Sequence, residues 1–156
     1  MTQKTTNSSS TPAKHKQYPL PALGSIVLAA FPEDPSPVPG DKPVLPKDRP
    51  ALVLKVDKIG GNVTVAYGTS QKVDPGNIYP TEFVVSPTDI DFEYTGLLKK
   101  TKFDVGHIVT LPYTSEFFTV PRKRQGKPIP TTPRIGILSL SYLSDIQKAN
   151  GNAAKK

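Results

Sequence analysis

Apolar residues along this chain fall into short runs, and the punctuation between them is rich in Pro, Gly, Asp and Thr. The first run, residues 25–30 (SIVLAA), is a compact apolar stretch with the pattern of a buried strand. The second, residues 51–56, follows Arg49-Pro50. Proline has no N–H to give to a sheet ladder and is tolerated at the start of a strand, so Pro50 fixes where this one begins. KIGGN (58–62) then marks a turn, and residues 63–68 alternate Val63, Val65 and Tyr67 against Thr64 and Ala66. Two such runs joined by a glycine turn predict an antiparallel hairpin. Further short strands are predicted at 82–86, 96–101, 107–111 and 117–120. Their spacing predicts a small, strongly bent sheet or partly closed barrel.

Near the C-terminus the period changes. Leu140, Leu143, Ile146 and Ala149 fall on one helical face, with Ser139 or Ser141 available as N-cap and Gly151 past the end. The predicted fold class is therefore mainly β, formally α+β, with one C-terminal helix on an antiparallel core. A chain of 156 residues suits one domain, placed at 18–151. Residues 1–17 have too little apolar surface to offset the entropy of ordering and predict a disordered basic tail; 152–156 predict a flexible end. Seven prolines fall within residues 31–50, so the segment 31–49 reads as a loop stiffened by fixed φ angles. A loop that long is either a functional lid or a solvated linker.

Charge and residue usage narrow the chemistry. The net charge is +7, and residues 99–156 hold eleven Lys and Arg against three acids. Clustered cations focus potential and favour a polyanionic partner, with solubility as the plain alternative. Cysteine is absent, which removes thiol nucleophiles, thiolate zinc sites and disulfides together. His15 and His107 are too far apart in sequence to form a metal-ligand motif, so no metal or other cofactor is expected. The serines lack a nucleophile-elbow context, and no glycine-rich loop precedes a helix. With no apolar leader and no segment of membrane-spanning length, a soluble cytoplasmic protein is expected.

The hairpin itself points to a site. Arg49 opens one strand and Thr69-Ser70-Gln71 closes its partner, so antiparallel pairing brings them to the same end of the sheet. A guanidinium fork beside a hydroxyl matches the oxygens of a phosphoryl group. The competing reading has Arg49 paired with Asp48 or another rim acid and Thr69 merely ending a strand.

The ordered set GSIVLAAF, a long loop, RPALVL, YGTSQ, GLLKKTKFD, HIVTLPYTSEFF and IGILS before a helix resembles the PemK/MazF toxins of bacterial toxin-antitoxin modules, over about residues 22–149. The resemblance implies a small SH3-like antiparallel β-barrel with a C-terminal helix, assembled as a homodimer. It implies a growth-inhibiting, metal-independent endoribonuclease that cleaves single-stranded RNA, in particular mRNA. The 2′-hydroxyl attacks the adjacent phosphate, leaving a cyclic phosphate and a 5′-hydroxyl. Arg49 and Thr69 are then the catalytic pair, with an antitoxin protein lying across their groove and DNA binding arising through the antitoxin complex. Ser70, Gln71, Lys99, Lys100 and Lys102 are the substrate-contact candidates, together with RKRQGK at 122–127, whose plainer reading is an exposed hairpin tip.

One departure stands out. Several members of that family carry an acid shortly after the glycine of the next strand, where this chain reads Gly96-Leu97-Leu98-Lys99-Lys100-Thr101-Lys102. Either proton transfer has moved elsewhere, or the chain is a non-cleaving barrel that binds nucleic acid or a protein. A generic RNA-associated SH3-like module accounts for the charge but not for the pairing of RP with TSQ.

Overall fold

The structure is a computed structural model that describes residues 15–30 and 48–154. Most of the tail expected at 1–17 and most of the proline-rich loop expected at 31–49 lie outside the described residues. Six strands, β1 (Ser25–Ala29), β2 (Arg49–Asp57), β3 (Asn62–Thr69), β4 (Glu82–Val85), β5 (Thr101–Pro112) and β6 (Arg134–Ile137), precede one helix, α1 (Leu143–Ala154). They form one antiparallel sheet in the order β4-β5-β3-β2-β1-β6. The fold is thus mixed α+β, a single curved sheet with a C-terminal helix.

The predicted hairpin is β2–β3, in the register Ala51↔Tyr67, Val53↔Val65 and Asp57↔Asn62. Its turn is closed by Asp57, whose Oδ1 accepts from the backbone N–H of Ile59 and Gly60 at 3.0 Å each. Those donors, Gly60 foremost, hold the Asp57 carboxyl below the usual carboxylate range.

Both faces of the sheet carry a core. Ile26, Leu52, Phe83, Val85, Phe103 and Val105 pack with Leu138, Tyr142 and Ala149 from the C-terminal segment. On the opposite face Val27, Ala29, Ala51, Val53 and Val65 pack under Tyr18, Tyr113 and Phe118. This two-sided burial explains why SIVLA and ALV are continuous apolar runs, where a half-exposed strand would alternate. Tyr18 and its neighbours also move the boundary of the expected tail. The Tyr18 N–H donates to Tyr113 O, the Lys16 N–H donates to Ser115 Oγ while Lys16 O accepts from the Ser115 N–H, and Gln17 bridges Thr114.

Several elements differ from expectation. Residues 96–100 are not a strand, because Gly96 takes φ +73° to cap a 3-10 turn, Phe92–Thr95. The Thr95 hydroxyl locks that turn by donating to Phe92 O and accepting from Leu97 N–H. The stretch 107–111 is instead the second half of the long β5. Residues 117–120 make only an isolated bridge, Ala29↔Phe118, before Pro121 stops any extension. At the C-terminus Ser139 caps a 3-10 turn, Leu140–Tyr142, and the α-helix begins only at Leu143. A 3-10 turn advances each residue by more than an α-helix does, so the buried face is Tyr142, Ile146 and Ala149 while Leu140 is left 84% exposed. The helix continues through Gly151 to Ala154, and the Asn152 amide donates to Pro80 O, so the flexible end expected at 152–156 is helical as far as it is described.

Candidate functional site

The site lies where β2 begins and β3 ends. Arg49 Nη1 donates to Thr69 Oγ1 at 3.3 Å, the meeting that the hairpin geometry requires. Gly68 makes this possible on the sheet side, since a Cβ there would run into the Phe103 ring and the Pro50 carbonyl. Beyond Thr69 the chain turns back, and the Gln71 N–H donates to the same Oγ1 at 3.0 Å. The next residue, Lys72, holds φ +52°, a backbone conformation disfavoured for any residue with a Cβ.

These two bonds fix what Thr69 can offer. A hydroxyl has one proton and two lone pairs; with Arg49 and Gln71 both donating to the oxygen, the proton is left to point elsewhere. Thr69 is thereby set up as a hydrogen-bond donor. Beside it opens a cleft of about 420 Å³, lined by the polar side chains of Arg49, Thr69, Ser70, Gln71 and Lys99 and by the apolar Leu28, Leu97 and Leu98. Asp48 also lines it, and its Oδ1 accepts from Thr119 Oγ1 at 2.9 Å. Arg124 reaches the cleft from the 122–127 segment.

The lysines of the 99–102 segment fall into separate environments. Lys99 is exposed on the cleft wall, and Lys100 is half-buried and does not line the cleft. Lys102 is buried. Its Nζ forms an ion pair with Glu82 Oε1 at 3.1 Å, donates to Asn77 O at 2.9 Å and sits 5.5 Å from the Tyr79 ring centre. It braces the 77–82 segment against β5 and presents no exposed charge, unlike the surface lysine expected from the sequence.

A second, smaller hollow of about 160 Å³ shares Arg49 and Thr69 with the first. The register explains its lining: Thr69 lies opposite Lys102, Tyr67 opposite Asp104, and Asp104 opposite Glu82, all on one face of the sheet. Asp104 Oδ1 accepts from Thr81 Oγ1 at 2.7 Å and from Gly106 N–H at 2.9 Å, and Glu82 is held by Lys102 and by the Tyr79 N–H. Between the pairs Tyr67↔Asp104 and Ala66↔Ile108 the β5 strand carries extra residues, a bulge that turns His107 into this hollow. Sequence reasoning weighed His107 only as a metal ligand and did not bring Glu82 or Asp104 to the site. The polar-apolar alternation of Lys102, Phe103, Asp104 and Val105 was the available signal, and Gly106 beside His107 marked the bulge.

Among the described residues no group of three or more His, Asp or Glu side chains is placed to hold a metal ion, and no helix is long and apolar enough to cross a membrane. No protein-family model matches the chain, and no curated protein sequence matches it.

Proposed function

We propose that this protein is an endoribonuclease of the PemK/MazF toxin type, an SH3-like barrel that cleaves single-stranded RNA at the Arg49–Thr69 cleft without a metal. The observation that carries the reading is the Arg49–Thr69 contact, with the threonine hydroxyl turned into a donor on the wall of an open cleft. In-line attack by a 2′-oxygen on the neighbouring phosphate builds negative charge on the non-bridging oxygens. Arg49 and the Thr69 O–H are donors for those oxygens, and preorganised donors of this kind contribute about 3 to 4 kcal/mol each. The 2′-hydroxyl must lose a proton and the 5′-oxygen must gain one. In the adjoining hollow the carboxylates Glu82 and Asp104 are engaged in anchoring contacts, and the imidazole of His107, whose two ring nitrogens can accept and donate a proton, is assigned the proton transfer. It takes the place of the acid that the 96–102 segment lacks.

On this reading the protein acts on mRNA in the cytoplasm as a homodimer and restrains growth, and an antitoxin protein silences it by lying along the cleft. The test is cleavage of an unstructured RNA oligonucleotide in the presence of chelator. A cyclic-phosphate product with a 5′-hydroxyl is expected, reduced about a hundredfold or more in Arg49→Ala. A second reading, a barrel that binds without cleaving, is favoured by the acid-free 96–102 segment and by the engagement of Asp48 with Thr119. Tight binding of RNA that stays intact would select it.

A further inference from the structure

Next to the cleft lies a second basic hollow of about 270 Å³, walled by Arg122, Arg124, Lys127 and Arg134 with Glu93 as its one acid. It shares Gly96, Arg124 and Ile135 with the Arg49 cleft, so the two are neighbours across a single ridge. Two glycines make that ridge thin. A Cβ on Gly96 would collide with the Ile135 backbone and one on Gly136 with the Thr95 backbone, so the end of the 3-10 turn is pressed flat against β6. Arg124 lies over this contact, its Nη2 donating to Gly96 O at 3.2 Å. That bond uses one of the five N–H groups of the guanidinium, and the fork borders both hollows.

We propose that this hollow is a second phosphate-binding subsite, which grips the backbone of the same RNA strand that enters the Arg49 cleft and so sets which linkage reaches Arg49 and Thr69. The inference rests on the ribonuclease reading for its substrate and adds where the strand runs. Four cations against one acid around a hollow match a repeating phosphodiester, and contacts of this kind position a strand without reading its bases. The three arginines present forked donors that fit phosphate oxygens. Arg134 is held on β6, where its Nε donates to Gly136 O, while Arg122, Arg124 and Lys127 come from the connection between β5 and β6. The hollow is therefore assembled from two parts of the chain, and the exposed-tip reading of RKRQGK covers only one of them.

The experiment measures affinity for a single-stranded oligonucleotide of about twelve nucleotides, made resistant to cleavage by 2′-deoxy substitution, against salt concentration. Wild type is compared with Arg122→Ser/Lys127→Ser and with Lys55→Ser/Lys58→Ser, which removes the same charge at the far end of the hairpin. The subsite predicts that the first variant flattens the log-log slope by about 0.7 per lost contact, while the second leaves it unchanged. Equal slopes for wild type and Arg122→Ser/Lys127→Ser overturn the subsite and leave the ribonuclease reading standing. Failure of wild type to bind single-stranded nucleic acid at all overturns both. Loss of affinity for a polyglutamate peptide, with oligonucleotide binding intact, overturns the subsite in favour of an acidic protein partner.

Discussion

Arg49 and Thr69 touch across the open end of the β2–β3 hairpin, and the Thr69 oxygen accepts from Gln71 as well. Two donors, one from the start of β2 and one from the turn after β3, thus converge on one hydroxyl. The chemistry assigned to the cleft depends on the proton that this arrangement leaves free to donate.

That dependence separates two substitutions at Thr69. Thr69→Ser keeps the hydroxyl and both acceptor bonds, so cleavage is expected to stay within about tenfold of wild type. Thr69→Val keeps the shape and removes the donor, and the loss expected is about a hundredfold in kcat, the usual scale for one oxyanion donor. Single-turnover cleavage of a labelled oligonucleotide reads both. Equal rates for serine and valine would remove Thr69 from the mechanism.

At Arg49 the informative change is to lysine. Lysine keeps the charge but offers no planar fork, so Arg49→Lys is expected to lose most of the cleavage rate while keeping the salt dependence of oligonucleotide binding. Wild-type rates in Arg49→Lys would show that a point charge is enough.

His107 supplies proton transfer in the proposed reaction, and His107→Asn is expected to lower kcat by about a hundredfold or more with affinity for the 2′-deoxy oligonucleotide kept. The residue is exposed on a bulge, so the melting temperature is expected to hold. Unchanged kcat would return proton transfer to solvent or to another group.

The hairpin and the Arg49–Thr69 meeting were legible because local rules fix them. Pro50 sets a strand start, the glycines set a turn, and antiparallel pairing then joins the two ends. What was not legible depends on partners distant in sequence or on a turn type. Leu97 and Leu98 look like strand residues, but Gly96 and the Thr95 hydroxyl divert the backbone first. Leu140 fits a helical face until a 3-10 turn shifts the phase and buries Tyr142 instead. Lys102 belongs by composition to a basic run, and only the pairing of β4 with β5 reveals Glu82 beside it.

Tyr142 ties the C-terminal segment to the 86–91 loop, its hydroxyl donating to Asp89 Oδ2 at 2.8 Å. Burial, that hydrogen bond and the nearby carboxylates of Asp89, Asp91 and Asp145 push its pKa above the ordinary tyrosine value. In the unfolded chain a tyrosine ionises at about pH 10. The stabilising contribution is therefore complete below that pH and is lost as pH rises through the higher folded value. Thermal melts of wild type are expected to fall more steeply above about pH 10 than those of Tyr142→Phe, and parallel curves would contradict the linkage.

The buried Lys102–Glu82 pair is expected to matter for stability and not for RNA contact. Both side chains are nearly fully shielded, and Lys102 also satisfies the Asn77 carbonyl. Lys102→Met leaves Glu82 buried with the Tyr79 N–H as its remaining described donor, and breaking one side of such a pair costs about 3 to 5 kcal/mol. Replacing both, Lys102→Met with Glu82→Leu, removes the uncompensated charge and is expected to recover most of that loss. Lys99→Glu, on the exposed cleft wall, is expected to change stability by only about 0.5 kcal/mol and to weaken RNA binding instead. Urea unfolding of the four proteins, with oligonucleotide affinity measured on each folded sample, separates the roles. If Lys102→Met were as mild as Lys99→Glu, the pair would not be what braces the 77–82 segment. Weakened RNA binding by a stable Lys102→Met variant would put Lys102 back among the contacts.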